Sequence, residues 1–212
     1  MNNVHFWRYS MNKKEQSLNT FNHQAKVYDN SMYSRHAKKL YPAMLSLIET
    51  QKKVKILDLG CGTGTMMQLL LKQNANYQLT GLDLSPEMIN QAQDKLKDGV
   101  DLIIGDSEKQ PFDAASFDLV YCNDSFHHYP DPAAVLNEVA RVLKPQGCLI
   151  IGDTYLPVIL RSIANFFVRF SYEGDVRIYS KKEIITLLKD NFKEIEWKKI
   201  TNDAYIVKAI KR

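Results

Sequence analysis

Short apolar runs alternate with amphipathic segments through the middle of this chain. The runs have the length and composition of strands that are buried on both faces. They lie at 53–59, 77–82, 100–104, 117–122 and around 149–151. After three of these runs, apolar residues recur every three or four positions and predict helices. The alternation predicts an α/β fold with a doubly wound, mostly parallel sheet.

Residues at the element boundaries support this prediction. Thr65 opens a helix directly after a glycine-rich loop. Ser85 and Asp131 are typical N-cap residues, and each precedes a proline in the first helical position. Near the end of the chain, apolar positions at 192–200 and 204–210 predict two closing strands joined by three polar residues.

The loop after the first predicted strand carries the strongest chemical signal. Gly60, Gly62 and Gly64 allow the backbone to turn sharply and to approach a ligand closely. The loop also lies at a helix N-terminus, whose free N–H groups attract anionic ligands. The next strand ends at Asp83, where a carboxylate can accept hydrogen bonds from both ribose hydroxyls. The alternative is a tight strand–helix turn with a surface Asp, but the strand before the loop and the acid after it favour a nucleoside site.

The glycine spacing narrows the choice of nucleoside. A dinucleotide fingerprint reads Gly-x-Gly-x-x-Gly/Ala, whereas the third glycine comes one residue early in this chain. Asp58, two residues before the first glycine, would repel phosphates but could pair with an ammonium group. The favoured ligand therefore has a ribose, an adenine and an amino-acid end without phosphates. S-adenosylmethionine has these parts.

Five segments of the chain also resemble those of a known family, and they occur in the family's order. They are ILDLGCGTG (56–64), GLDLSPEM (81–88), GDSEKQPF (105–112), SFDLVYCN (116–123) and EVARVLKPQG (138–147). The chain resembles the class I S-adenosylmethionine-dependent methyltransferases, in the type 11 subgroup of ubiquinone- and menaquinone-biosynthesis-like enzymes. The resemblance implies a Rossmann-like, seven-stranded sheet with an antiparallel closing strand. It also implies a single domain over 1–212, with a helical cap at 1–50 and a variable lid insertion at 155–180.

The resemblance assigns roles to residues at the carboxyl ends of the strands. The glycines would contact the methionine and ribose, Asp83 would hold the ribose hydroxyls, and Leu84 and Met88 would flank the adenine. Asp106 would accept a hydrogen bond from the adenine amino group, and Tyr28 would lie near the methionine carboxylate. The full set of expected cofactor-binding residues is Tyr28, Asp58, Gly60, Cys61, Gly62, Thr63, Gly64, Asp83, Leu84, Met88, Asp106, Ser107, Asn123 and His128.

Two adjacent histidines, His127 and His128, lie in the loop after the fourth predicted strand. Neighbouring loop side chains rarely bind one ion, and no third ligand with suitable spacing is visible, so no metal site is predicted. His127 is the candidate general base because an imidazole titrates near neutrality. The alternative is a packed or solvated loop histidine. Methyl transfer from a sulfonium needs mainly positioning and exclusion of water, so no catalytic triad is expected.

The stretch 155–172 has apolar residues around much of a helix circumference. It is too short to span a membrane, and Arg161 and Arg169 interrupt it. A lid over the active site, a dimer surface, a face that touches lipid and a plain core helix all fit this pattern. A lid would favour an apolar or aromatic acceptor.

Composition excludes several classes of protein. The net charge of +4 comes from dispersed basic residues and does not indicate nucleic-acid binding. Three cysteines without metal-ligand spacing and a polar N-terminus predict a reduced, cytoplasmic protein. We therefore expect a monomeric or homodimeric enzyme that methylates a small molecule by in-line displacement, without stable membrane insertion. The alternatives are a nucleic-acid or protein methyltransferase, a nicotinamide-dependent oxidoreductase, and a non-catalytic S-adenosylmethionine-binding protein.

Overall fold

A seven-stranded sheet forms the centre of the computed structural model, which describes residues 12–50, 54–168, 170–171 and 173–212. The strands are β1 (Lys55–Leu59), β2 (Gln78–Asp83), β3 (Val100–Ile104), β4 (Phe117–Asn123), β5 (Leu143–Thr154), β6 (Phe192–Lys199) and β7 (Ala204–Lys211). Their order across the sheet is β3-β2-β1-β4-β5-β7-β6. β7 is antiparallel to both of its neighbours, and the other pairings are parallel. The predicted fold class is confirmed.

Helices cover both faces of the sheet. They are α1 (Lys13–Gln24), α2 (Tyr33–Thr50), α3 (Thr65–Gln73), α4 (Pro86–Leu96), α5 (Pro132–Val142), α6 (Val158–Val168) and α7 (Lys181–Leu188), with short 3-10 turns at Tyr28–Asn30 and Phe126–His128. Buried side chains of α2, α3 and α4 pack on one face. Those of α5 and α7 pack on the other. Alternate residues of each central strand therefore contribute to two apolar layers.

The element bounds correct some of the sequence predictions. β1 begins at Lys55, and the predicted start at residue 53 lies outside the described residues. β2 begins and ends one residue later than predicted. β5 is much longer than its predicted core, because the chain continues as a strand directly after α5. α6 has no buried residue, so the plain core helix considered for this stretch is wrong.

The N-terminal helix α1 lies over the carboxyl ends of the strands. It contacts α4 and the 3-10 turn Phe126–His128. Of the described part of the expected helical cap at 1–50, α1 lies over this edge, whereas α2 packs on a face of the sheet. The bounds of the cap stay a prediction, and residues 1–11 lie outside the described residues. Ligands of doubly wound sheets bind at this edge, so α1 is placed to form a wall of a site.

Candidate active site

The glycine loop between β1 and α3 is bound tightly to the neighbouring strand. The backbone N–H groups of Gly60 and Cys61 both donate to the Leu82 carbonyl, at 2.8 and 3.1 Å. Gly60 has φ +76°, and a Cβ placed there would lie 2.5 Å from Ser125 Oγ. A side chain at position 60 would therefore be strained and would displace the Ser125 loop. The sequence places a glycine where the backbone forms the floor of a pocket.

Asp83 connects this loop to the start of α4. One of its carboxylate oxygens accepts the Gly62 N–H at 2.8 Å, and the other accepts the Ser85 N–H at 2.9 Å. Burial raises the pKa of Asp83, although these N–H groups oppose the rise. Each carboxylate oxygen has further capacity to accept hydrogen bonds. Asp83 is therefore held in a fixed orientation from which it can bind a pair of hydroxyls.

Asn123 at the pocket wall and Asp58 in an adjoining smaller cavity provide acceptor atoms close to each other. Asp58 is 3% exposed and accepts the Tyr121 hydroxyl at 2.6 Å. Burial, with a contribution from nearby Asp83, raises the pKa of Asp58 to about 7. Asn123 Oδ1 is buried and has no hydrogen-bond partner among the described residues. A ligand carrying N–H groups or a positive charge would satisfy both side chains.

Most of the expected cofactor residues line one pocket at the carboxyl edge of the sheet. These ten are Tyr28, Gly60, Gly62, Asp83, Leu84, Met88, Asp106, Ser107, Asn123 and His128. Asp58, Cys61 and Thr63 line a smaller cavity that shares Tyr28 and Asn123 with this pocket. Gly64 lines neither cavity. It has φ +72° directly before α3, and a Cβ there would meet Leu96 at 2.7 Å, so its part is structural.

One face of α1 completes the pocket with residues that the sequence analysis did not select. Lys14, Ser17, Leu18 and Phe21 all line it. The Lys14 ammonium lies 2.7 Å from an Asp106 oxygen and also pairs with Glu108. The spacing of these four residues, at i, i+3, i+4 and i+7, marks one helix face and could have revealed them.

Asp29 forms a second connection between the N-terminal segment and the glycine loop. Its carboxylate accepts the Thr63 hydroxyl at 2.6 Å and the Thr65 hydroxyl at 3.1 Å. Lys95 from α4 pairs with the same carboxylate at 2.6 Å. Burial opposes ionisation, but Lys95 and the hydroxyls lower the pKa of Asp29 overall. No local sequence signal connects Asp29 to Lys95, which lies 66 residues away.

A second cavity of about 380 Å³ lies beside the cofactor pocket. The two share Phe21, Tyr28, Asp124 and His128, so these side chains stand between them. The His128 ring meets the Phe21 ring edge-on at 5.1 Å. Other lining residues include Met32, Tyr33, His36, His127, Glu173 and Asp175. The cavity therefore combines aromatic walls with titratable groups.

His127 is paired with an acid at the end of β5. Its Nδ1 lies 2.6 Å from Asp153 Oδ1, and its backbone N–H donates to the other oxygen at 3.0 Å. Burial alone would lower the pKa of His127, but Asp153 and the nearby Asp124 and Asp175 raise it to about 10. A ring protonated at neutral pH cannot accept another proton. This charge environment argues against the general-base role expected of His127.

His128 has the opposite charge preference. Burial and the neighbouring His127 imidazolium lower the pKa of His128, which keeps its ring neutral. Its Nδ1 lies 3.3 Å from a carboxylate oxygen of Asp175. Asp175 thus places a carboxylate beside the histidine pair. The sequence spacing did not reveal this third group. The absence of a metal at this pair stays a prediction.

Comparison with known proteins agrees with this geometry. Residues 57–151 match the family described as "Methyltransferase domain". The demethylmenaquinone methyltransferase of Staphylococcus epidermidis is 30% identical over 190 residues, which cover 85% of this chain and 79% of that enzyme. The chain belongs to the class I S-adenosylmethionine-dependent methyltransferases. It is therefore an S-adenosylmethionine-dependent enzyme, which excludes the oxidoreductase alternative.

Other similarities to this methyltransferase are less complete or concern the fold alone. The demethylmenaquinone methyltransferase of Thermotoga maritima is 38% identical over 114 residues, and the match spans about half of that enzyme (49%) and 54% of this chain. A chain in the solved complex of the Haloferax volcanii Trm112 methyltransferase activator with a methyltransferase has a TM-score of 0.74 at 23% identity. That match covers 90% of this chain and 97% of the other.

The pocket fits the cofactor that this methyltransferase family uses. Gly62 has nothing within 4 Å of the position that a Cβ would take, so a ligand can approach the backbone there. Asp83 can hold two hydroxyls, and Asn123 Oδ1 is an unsatisfied acceptor close to the Asp58 carboxyl. Within the part of the chain that the structure describes, no helix has the length and apolar character required to cross a bilayer.

Proposed function

We propose that this methyltransferase transfers the methyl group of S-adenosylmethionine to a small molecule held in the second cavity. The observation that carries this proposal is the shared wall of Phe21, Tyr28, Asp124 and His128, since a ligand in either cavity contacts the same side chains. Methyl transfer needs the methyl carbon and the acceptor atom to lie about 3–3.5 Å apart, so we infer that these shared side chains border an opening between the two cavities and do not separate them completely. When bound, S-adenosylmethionine supplies a methyl group that the positive sulfur has already activated.

The residues of the chain bind and orient the two reactants. We assign Asp83 to the ribose hydroxyls, Asp106 to the adenine amino group, and Asp58 with Asn123 to the ammonium end. Asp106 is paired with Lys14, so contact with an adenine amino group would rearrange that surface ion pair. We assign α1 the role of a cover that excludes water from the reacting groups.

The second cavity supports an aromatic acceptor that carries polar groups. Phe21, Tyr28 and Tyr33 provide aromatic surface for a ring. Asp175 adds a carboxylate whose contacts with the His127 and His128 rings are long, at 3.7 and 3.3 Å, so it can also bind a polar substituent of the acceptor. The demethylmenaquinone methyltransferases among the relatives are named for a quinone-type acceptor, which is aromatic and has two oxygen substituents in its reduced form. A quinol-like acceptor is the class that we infer.

Calorimetric titration with S-adenosylhomocysteine and with NAD tests the cofactor assignment. We expect binding of S-adenosylhomocysteine only, and the Asp83→Ala variant should lose most of it because the ribose hydroxyls lose their acceptor. Asp101→Ala, at an exposed position of β3, is the matched control and should bind as the unmodified chain does. Unchanged affinity in Asp83→Ala, with the fold intact by circular dichroism, would remove Asp83 from the site.

Incubation with methyl-labelled S-adenosylmethionine tests the acceptor class. We expect label to move to a demethylated naphthoquinol and not to duplex DNA or a basic protein. Label that appears only in the macromolecules would contradict the small-molecule assignment.

A further inference from the structure

The helix α6 exposes an unusually apolar surface. Six of its large apolar side chains are between 51% and 74% exposed, and none of its residues is buried. They are Val158, Ile159, Leu160, Ile163, Phe166 and Phe167. Single exposed apolar residues are ordinary, but a contiguous set of this size marks an interaction surface.

Two of the three polar side chains of α6, those of Arg161 and Asn165, lie on the side away from its exposed apolar residues, while Ser162 is exposed among them. At about 100° per residue, the six exposed apolar side chains fall within an arc of about 200°. Arg161 and Asn165 lie on the other side. The Asn165 side chain exchanges two hydrogen bonds with the Ile178 backbone, at 2.9 and 3.0 Å, and Arg161 donates to the Leu156 carbonyl. A helix packed on a core turns its apolar side toward the protein, whereas α6 turns its apolar side toward solvent.

The charge around α6 favours a negatively charged surface. The helix contains no acidic residue, and between positions 155 and 182 the chain has five basic and two acidic residues. Lys181 and Lys182, the last two of these five basic residues and the first two of α7, are both exposed. An exposed apolar helix flanked by an excess of basic residues is typical of attachment to anionic lipid headgroups.

The position of α6 connects this surface to the second cavity. The Lys13 ammonium donates to the carbonyls of Val168 and Ser171, at 2.9 and 2.8 Å, and so holds the end of α6 against α1. The chain then reaches Glu173 and Asp175, which line the second cavity. The exposed helix therefore leads directly to the wall of the cavity assigned to the acceptor.

We propose that α6 attaches this methyltransferase to the surface of an anionic lipid bilayer, with its apolar arc among the headgroups and upper acyl chains. With eleven residues, the helix can lie in the interface but cannot cross a bilayer. A second copy of the chain fits this surface less well, because a twofold contact would place two like-charged basic segments together. Attachment rests on α6 alone, whereas delivery of an apolar acceptor from the bilayer rests on the proposed function.

Vesicle flotation of the full chain tests the attachment and needs no acceptor. We expect the protein to float with vesicles of phosphatidylcholine and phosphatidylglycerol, and to float less with phosphatidylcholine alone. Phe166→Ser combined with Phe167→Ser should lower partitioning by about tenfold or more, since two apolar anchors are lost. Val54→Ser, at an apolar residue that is 44% exposed outside α6, should partition as the unmodified chain does.

Two results would overturn the attachment. One is no difference between the double variant and the unmodified chain, or equal flotation with neutral and anionic vesicles. The other is a dimer in light scattering that the double variant dissociates, which would assign the surface to a second copy. Binding of S-adenosylhomocysteine should be equal in all three proteins, so failure of the attachment is distinguishable from failure of the proposed function.

Discussion

At the scale of single residues, burial and neighbouring charges shift the pKa values of two adjacent histidines in opposite directions. His127 and His128 are adjacent in the chain, with ring centroids 4.1 Å apart. Asp153, Asp124 and Asp175 outweigh burial at His127 and raise its pKa, whereas burial and the His127 charge lower that of His128. The pair therefore presents one charged and one neutral ring to the second cavity at neutral pH. The charged His127 ring cannot accept a proton, and the lowered pKa of His128 makes its ring a weak base.

The titration of His127 gives the residue-scale prediction. The pKa of His127 is about 10 in the folded chain and about 6.5 when unfolded, so its stabilisation is fully present below pH 6.5 and is lost as the pH rises through 10. Carbon NMR of the histidine Cε1 groups should show a ring that stays protonated beyond pH 8. Asp153→Asn should lower that pKa and reduce the free energy of unfolding by about 3–5 kcal/mol near neutrality.

The stability difference between Asp153→Asn and the unmodified chain should shrink as the pH approaches 10. Asp190→Asn, at an exposed position, is the control and should change neither the titration nor the stability. A His127 ring that titrates near pH 6.5 in the folded protein would contradict the assignment and would restore this residue as a candidate base.

At the scale of elements, N-cap residues determine where the helices begin. Ser85 and Asp131 cap α4 and α5 as predicted, by accepting the N–H groups of Met88 and Ala134 at 3.1 and 3.0 Å. Two further helices begin with capping boxes, at Asn12 before α1 and at Ser180 before α7. Both boxes have a glutamate three residues on, a local pattern that is visible in the sequence.

The Ser180 capping box gives the element-scale prediction. Ser180→Ala removes the acceptor of the Glu183 N–H and should lower the free energy of unfolding by about 1 kcal/mol. Ser162→Ala inside α6 is the matched control and should have an effect near zero, because alanine is favourable at an exposed position inside a helix. Urea unfolding followed by circular dichroism measures both. Equal effects of the two substitutions would show that the box does not stabilise α7.

At the scale of the whole molecule, the cofactor pocket joins elements from the first two thirds of the chain. Its lining extends from Lys14 on α1 to Pro130 in the loop before α5. Ion pairs at Lys14 and Asp29 connect the N-terminal segment to the sheet edge. Most of these contacts are partly exposed and individually weak, so we expect a bound ligand to add to the order of α1.

Ligand-linked stability gives the whole-molecule prediction. S-adenosylhomocysteine at a hundred times its Kd should raise the free energy of unfolding by about 2.7 kcal/mol, because it binds only the folded chain. Hydrogen exchange should slow in α1 and in the 3-10 turn Phe126–His128, and should change little in α7. NAD at the same concentration is the control and should alter neither measurement. Protection confined to the glycine loop would show that α1 does not cover the ligand.

The sequence by itself determined the features that depend on residues close to each other along the chain, namely the strands, the turns and the starts of the helices. One local unit consists of the strand β1, the glycine loop after it and the helix from Thr65. Its hydrophobic periodicity and its glycines can both be read from the sequence. Asp83 could be predicted for the same reason, since the ends of parallel strands meet at one edge of a sheet. These local signals were enough to predict the α/β sheet and the S-adenosylmethionine dependence.

Only the tertiary structure decided which distant side chains meet and what each apolar face contacts. Asp175 lies beside His128, and Lys95 beside Asp29, because the sheet topology returns the chain to the same edge. No periodicity encodes such pairs. The apolar residues of α6 predict a helix equally well whether it is buried or exposed, since periodicity describes a face but not its partner. After β5 the chain follows a path that leaves the apolar face of α6 uncovered. The helix is therefore not part of the core, and its face is the most exposed apolar surface of the described chain.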